Sequence, residues 1–408
     1  MKILFIHQNF PAQFKHLAPS LVKAGHDVAA LCIRDLRAAA WGGVKIHRYE
    51  VSRGNSKDTH PWLIDYESKI IRGEACMRAA MSLKDLGYVP DIVISHPGWG
   101  ESLFIKEVWP TTCLKIYCEF FYRSNGLDVG FDPEFTSKNL MDEARITLKN
   151  ANTLLHFESA SAALCPTEWQ ASTFPEYCRN KMSVIHDGID TDHIKPSRSA
   201  HVELSNGHVI TQEDEVVTYV NRNLEPYRGI HTFIRSLPKI LKEKPNCQVV
   251  VVGKESNSGY GIIAKDNRSW KETYMEEISG QLNKEDLNRV HFLGPVEYET
   301  LLKVYQISSV HIYLTYPFVL SWSLLEAMSS GCCVVASSTG PVKDVISDGV
   351  NGRLIDFFDH NELSLQVVSL LDDDAQRSEF SKRARESIGD KYDLQSVCLP
   401  RLVSWCVS

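Results

Sequence analysis

Val310-His-Ile-Tyr-Leu314-Thr-Tyr-Pro-Phe318-Val-Leu-Ser321-Trp-Ser323-Leu-Leu-Glu326-Ala-Met-Ser-Ser-Gly331-Cys-Cys-Val334-Val-Ala336 reads as a strand, a loop, a helix stopped by glycine and a second strand. A strand that returns through a helix is a βαβ unit, which demands a parallel sheet with helices on its faces. Ser321 or Ser323 can cap the helix, and the backbone N–H groups of its first turn then suit an anion. Glu326 lies about one turn further in, where it can accept hydrogen bonds from ribose hydroxyls; paired with a lysine on a capped core helix it would be structural only.

The same grammar extends in both directions. Val216 to Val220, Gln248 to Val252 and Val290 to Leu293 read as buried strands, and His231 to Leu241 as a helix, which together make a Rossmann-like domain. At the start of the chain, residues 2 to 6 are continuously apolar; Phe14, Leu17, Ala18 and Leu21 then fall on one helical stripe that Gly25 stops. Strands are expected at Val28 to Ile33, Asp91 to Ser95, Thr112 to Cys118 and Thr153 to Phe157, so residues 1–190 form a second doubly wound domain. Between the two, the polar stretch 195–215, with Pro196, Ser197, Ser199, Ser205, Asn206 and Gly207, reads as a linker carrying a surface hairpin at most. The expectation is an α/β chain of two Rossmann-like domains, 1–190 and 191–391. Ligands in such sheets bind beyond the carboxyl ends of the strands, which puts the site in the cleft between the halves.

Composition narrows the function. The 408 residues carry a net charge of −7, with 43% hydrophobic and 23% charged residues, values of a globular chain rather than of a collagen, coiled coil or disordered segment. No cationic cluster signals a nucleic-acid partner. The eleven cysteines include no Cys-x-x-Cys, so neither a disulfide framework nor a zinc site is indicated. The opening apolar run, broken by His7, is too short for a signal peptide, and no stretch approaches the roughly 20 apolar residues of a membrane helix. A cytoplasmic protein follows, at most peripheral to a membrane. Residues 1–190 carry 21 Lys and Arg against 22 Asp and Glu, and the remainder 23 against 29, so the first half accommodates an acceptor near a membrane more easily.

A second informative piece is Tyr219-Val-Asn-Arg222-Asn-Leu-Glu225-Pro-Tyr-Arg228-Gly229, again at a strand's carboxyl end just ahead of a helix. Guanidinium groups make bidentate, charge-assisted bonds to phosphate oxygens, so Arg222 and Arg228 read as a diphosphate clamp; surface ion pairs are the plainer alternative. Lys254 stands within reach of a phosphate, while Gly253, Gly259 and Gly261 compose no dinucleotide fingerprint. Asp190-Thr-Asp192, at the entry to the linker, has the form of a metal motif, but a three-residue motif arises often by chance. With arginines and helix N–H groups to neutralise phosphate, no metal and no other cofactor is expected.

Both pieces, with Val184-Ile-His-Asp-Gly-Ile-Asp190, Phe292-Leu-Gly-Pro and Gly340-Pro-Val-Lys-Asp-Val-Ile-Ser-Asp-Gly-Val-Asn-Gly352, resemble the retaining glycosyltransferases of family 4, which have the GT-B fold. The resemblance implies transfer of a sugar from a nucleoside-diphosphate donor bound on the C-terminal domain to an acceptor hydroxyl on the N-terminal domain, with residues 392–408 packing back on the latter. It assigns the donor diphosphate to Arg222 and Arg228, and the ribose to Glu326. A further glutamate of that family falls on Phe318. Either the backbone of Val319, Leu320 and Ser321 holds the sugar, or the donor differs, or the protein is a degenerate binder. On the N-terminal side, His96-Pro-Gly-Trp99-Gly-Glu101 follows a strand and can approach the acceptor. Glu119 stands about where relatives place a histidine beside the reacting sugar. Gln8, Asn9 and Gln13 occupy a turn that is often glycine-rich, and the loop with Tyr122, Arg123 and Asn125 suits a sugar platform. The implied reaction needs no protein nucleophile, the departing phosphate taking the acceptor's proton. The implied role is bacterial polysaccharide or glycolipid synthesis on the inner face of the membrane. A GT-B epimerase or phosphorylase, or a non-catalytic nucleotide-sugar-binding subunit, is the alternative.

Overall fold

The computed structural model describes the chain apart from residues 35–37, 136–139, 205, 206, 258, 262, 265 and 266, so Ser205 and Asn206 of the linker lie outside the described residues. Two compact units are present, Met1–Gly188 with Gln395–Ser408 and Ile189–Leu394. Among the described residues no helix is long and apolar enough to cross a membrane.

The first unit is built on strands β1 (Lys2–Ile6), β2 (Asp27–Cys32), β3 (Ala40–Trp41), β4 (Val44–Arg48), β5 (Ile92–Ser95), β6 (Cys113–Tyr117), β7 (Ala162–Cys165) and β8 (Met182–Val184). They form one sheet in the order β3-β4-β2-β1-β5-β6-β7-β8, parallel except for the short β3. Burial on both faces explains the uninterrupted apolar run of β1. Ile3 and Phe5 pack with Leu17 and Leu21 on one side, and Leu4 and Ile6 with Cys76 and Ala80 on the other. Full burial of each such side chain contributes about 1.5–3 kcal/mol. The helix Leu399–Val407 joins the first of these cores through Leu402, Trp405 and Cys406. It also satisfies Lys115, a lysine only 3% exposed on β6, whose Nζ donates to the Trp405 carbonyl at 2.6 Å.

Thr153 to Phe157, expected as a strand, is instead part of the helix Ala151–Ser159, and the strand is the following β7. Asn152 and His156, four residues apart, are the buried polar pair that decides it: His156 Nδ1–H donates to the Asn152 carbonyl at 2.7 Å, and Nε2 lies 2.9 Å from Ser102 Oγ. A five-residue apolar run does not by itself separate a strand from a buried helical turn.

In the second unit the polar segment forms the antiparallel pair β9 (His201–Glu203) and β10 (Val209–Thr211). After it come β11 (Val216–Asn223), β12 (Gln248–Lys254), β13 (Val290–Gly294), β14 (Val310–Tyr313), β15 (Val334–Ser337) and β16 (Arg353–Ile355). They make a sheet of order β13-β12-β11-β14-β15-β16, parallel throughout. The helix Ile230–Glu243 buries Ile230, Phe233, Ile234, Leu237, Ile240 and Leu241, a stripe of period 3.6, and Phe233 stacks on Tyr219 at 4.2 Å between centroids.

Each of the two large sheets reverses its order beside its own first strand. In the first unit the chain winds outward from β1 through β2 on one side and β5 on the other; in the second, from β11 through β12 and β14. These reversals are topological switch points, where successive loops diverge and leave a crevice beyond the carboxyl ends of the strands.

Candidate functional site

At the switch point of the second unit the loops after β11 and β14 lie side by side, tied by the Tyr316 N–H donating to the Tyr227 carbonyl at 3.1 Å. Gly229 fixes the first loop. Its φ is +74°, and a Cβ there would stand 2.4 Å from Leu314 Cβ, so the helix Ile230–Glu243 starts close under β14 only with glycine at this position. Arg228, just before it, is partly buried; Nη1 donates to Thr315 Oγ1 at 2.8 Å, and its carbonyl accepts from the Tyr219 hydroxyl. Arg222 is exposed, and its side chain makes no hydrogen bond or ion pair with another described residue. The two guanidinium groups thus differ: one is oriented by the protein, the other is uncommitted.

Between them sits Glu225, a residue the sequence reading passed over. It is 2% exposed and accepts the Tyr260 N–H at 2.6 Å. Burial raises its carboxyl to about 7, against the opposing pull of the Tyr260 N–H and the charges of Arg228 and Arg222.

The loop after β14 ends in the helix Trp322–Ser329, capped by Ser321, whose Oγ accepts from the Ser323 N–H at 3.3 Å. The Ser321 N–H in turn donates to the Tyr313 hydroxyl at 3.4 Å. Glu326 is buried on this helix and accepts from the Tyr298 hydroxyl at 2.8 Å. Leu320 is buried and Val319 partly exposed. Phe318 packs against Tyr227 and Tyr260, with ring centroids 5.4 and 5.5 Å away. Lys254 is exposed at the end of β12, where its carbonyl accepts from Leu224 N–H.

The switch point of the first unit gathers a different chemistry. Ile6 and Ser95 pair across β1 and β5, so His7 and His96 follow on adjacent strand ends with ring centroids 5.6 Å apart. Trp99 packs on both, at 4.9 and 4.3 Å. His96 Nδ1 accepts from the Gly98 N–H at 3.0 Å, which leaves Nε2 to carry the proton and face Glu119 Oε2 at 3.1 Å. The other oxygen, Oε1, accepts from Gln13 Nε2 at 2.8 Å. Burial works against ionisation of Glu119, but the His96 ring and the hydrogen bonds from His96 and Gln13 outweigh it and hold the carboxyl below its ordinary range. His7, 1% exposed, is pushed down to about 3, by burial first and then by His96. It is therefore a neutral ring, with Nδ1 accepting from the Asn9 N–H at 3.0 Å.

The structure thus brings Gln13, His96, Trp99 and Glu119 together and adds His7. The next loop is organised differently. Arg123 spends Nε and Nη2 on the Thr173 carbonyl at 3.1 and 2.9 Å, Tyr122 exchanges backbone bonds with the Asn150 side chain, and exposed Asn125 reaches only Ser124. Asp190 of the Asp-x-Asp stretch accepts from the His193 N–H at 3.2 Å. Among the described residues no group of three or more His, Cys, Asp or Glu is arranged to hold a metal ion.

Comparison with known proteins agrees with this arrangement of two sheets. Residues 24–194 match the family described as Glycosyl transferase family 4 group, and residues 203–387 the family Glycosyl transferases group 1. A D-inositol 3-phosphate glycosyltransferase of Mycobacterium sp. (strain JLS) is 28% identical over 192 residues, 47% of this chain and 40% of the relative, so the match spans less than half of that protein. Among solved structures, sucrose-phosphate synthase from Thermosynechococcus elongatus is similar with a TM-score of 0.73 and 17% identity, over 99% of this chain and 98% of the other. HepE of Anabaena, in complex with UDP-glucose, is similar with a TM-score of 0.66 and 16% identity, over 99% of both chains. The last two likenesses establish the GT-B fold.

Proposed function

The chain belongs to the group 1 glycosyl transferases, and on that premise we propose that it moves a sugar from a nucleoside-diphosphate sugar to an acceptor hydroxyl, with retention and without a metal ion. The observation that carries the reading is the pair Arg222 and Arg228 at the switch point of the second sheet, one exposed and one anchored to Thr315. The anchored fork receives the phosphate bound to the sugar, and the exposed one closes on the other phosphate. Glu326, held by Tyr298, accepts from a ribose hydroxyl, and the capped helix start at Ser321 lends its N–H groups to the sugar or its phosphate.

As the bond between anomeric carbon and phosphate oxygen breaks, negative charge grows on that oxygen, where preoriented guanidinium groups act most strongly. The acceptor oxygen bonds to the anomeric carbon on the same face, and its proton passes to the departing phosphate. On the first unit, Glu119 accepts the hydrogen bond of the acceptor hydroxyl. The acceptor is a saccharide, glycolipid or polyol phosphate, the last suggested by the named reaction of the inositol-phosphate relative. The deciding experiment is thermal stabilisation by UDP-, GDP-, ADP- and TDP-sugars with a chelator present. One nucleotide should raise the melting temperature at concentrations above its dissociation constant; no shift with any of the four at millimolar concentration would sink the proposal.

Glu225 gives this site a pH dependence of known sign. Its folded value of about 7 lies above that of an ordinary carboxyl, so the native state holds a proton the unfolded chain has lost. The stability contributed by that proton is full below the unfolded value and falls as pH rises through 7. A nucleotide sugar carries a diphosphate that is fully ionised over this range and favours neutral Glu225. Donor affinity is expected to fall by roughly three- to tenfold between pH 6 and pH 8, and Glu225→Gln should flatten the slope. A slope that persists in the variant would remove Glu225 as its origin.

A further inference from the structure

Beside the Arg222 and Arg228 pair the loops build a wall of aromatic rings. Tyr227, Tyr316 and Phe318 are each 6–7% exposed and Phe357 3%; Tyr227 and Tyr316 stand 4.6 Å apart between centroids, and Tyr316 and Phe357 5.2 Å. Tyr260, from the loop after β12, covers them with a half-exposed ring, 5.5 Å from both Tyr227 and Phe318. The Arg228 guanidinium lies 6.0 Å from the Tyr260 centroid, so whatever is bonded to a phosphate on Arg228 meets these rings next. Within residues 224–229 and 315–321 the one acidic side chain is Glu225, and it turns away to accept the Tyr260 N–H. Gly259 lies against the same carboxylate, since a Cβ there would displace Glu225 Oε2.

We infer that the donor sugar presents an apolar substituent, the methyl of a 6-deoxy sugar or of an acetamido group, to the wall formed by Tyr260, Phe318 and Tyr227. This rests on the donor reading given above and narrows it to a class of sugar. A methyl group buried against ring faces leaves water favourably. A hydroxyl pressed against the ring faces gives up its water hydrogen bonds there, and such a mismatch in an apolar subsite amounts to roughly ten- to a hundredfold in discrimination.

The test uses donor pairs that differ only at the substituent: UDP-N-acetylglucosamine against UDP-glucose, and GDP-6-deoxymannose against GDP-mannose. Dissociation constants are measured by calorimetry on the full chain, with UDP, GDP, ADP and TDP alone as references. The wild type should prefer the methyl-bearing member of the pair on its own nucleotide by about tenfold or more, and the two pairs separate an acetamido from a deoxy donor. Tyr260→Ala, on an exposed ring that the core does not need, should erase the preference, and Phe318→Glu should reverse it, each read as the ratio of sugar donor to bare nucleotide. If a bare nucleotide binds but the fully hydroxylated sugar is equal or better, or if both variants keep the wild-type ratio, the inference is overturned while the donor site stands. If none of the four nucleotides binds, the donor reading itself fails and takes the inference with it.

Discussion

Arg228→Ala is expected to weaken nucleotide-sugar binding by roughly 10²- to 10⁴-fold, because two charge-assisted hydrogen bonds to a phosphate contribute about 1.5–3 kcal/mol each. The loss should exceed that of Arg222→Ala. Arg228 is held in place by Thr315 and needs little reordering to bind, whereas Arg222 is exposed and must give up rotamer freedom first. The substitution also strands the Thr315 hydroxyl, which is fully buried, so a stability loss of about 1 kcal/mol should accompany it. Arg228→Lys separates the two effects: it keeps a charge but not the planar fork, and should recover only part of the affinity. Isothermal titration with the nucleotide sugar at fixed ionic strength gives the answer. Affinity unchanged in Arg228→Ala would move the diphosphate elsewhere and dissolve the site assignment for the second unit.

What the sequence disclosed follows from how each signal is encoded. Strands buried on both faces appear as unbroken apolar runs, so β1, β11, β12 and β15 could be read directly, and with them the loops that carry His96, Arg222, Arg228 and the stretch from Phe318 to Glu326. The carboxyl edge of a parallel sheet needs no further information to be recognised as a site. The partners are a different matter. Gln13 meets Glu119 across 106 positions of sequence and Tyr298 meets Glu326 across 28, and such pairings are fixed by strand order, which no local pattern encodes. His7 looked like a mere interruption of the first apolar run; only the pairing of β1 with β5 puts it against His96. Glu225 carried no signal of its own, and its burial beside Tyr260 depends on a loop whose path the sequence leaves open. Arg123 shows the same dependence on distant partners. Its place in a polar aromatic loop suggested a sugar platform, and the Thr173 carbonyl that accepts from its Nε and Nη2 lies 50 positions away. The helix at 151–159 shows the same limit at shorter range, since its buried face is defined by a hydrogen bond to Ser102 on another element.

Glu119→Gln is expected to lower kcat/KM for the acceptor by roughly 10²- to 10³-fold, the usual scale for removing one fixed charge from a reacting group, while donor affinity stays within about twofold of wild type. Its side chain is 28% exposed; one oxygen accepts from Gln13 and the other faces His96 Nε2 at 3.1 Å, which leaves lone pairs for a further donor. An acceptor hydroxyl that donates there gains nucleophilicity and a fixed direction. The glutamine variant should remain folded, because the Gln13 amide can turn its oxygen toward the new NH₂ group. The pH behaviour sharpens the test. Glu119 has its folded value held below that of an ordinary carboxyl, so the stability it contributes is present above the unfolded value and is lost only as pH falls through the folded one. Activity should therefore show no acidic limb from Glu119 between pH 5 and 8. A purely structural carboxylate predicts the opposite pattern: a lowered melting temperature in Glu119→Gln, with kcat/KM for the acceptor intact. A residue that instead acted as a titrating base would bring an acidic limb that the variant abolishes. His96→Ala discriminates further, since it removes one of the two donors that hold the carboxylate and should shift the acceptor KM and the acidic limb together, without touching the affinity for nucleotide sugar on the other unit.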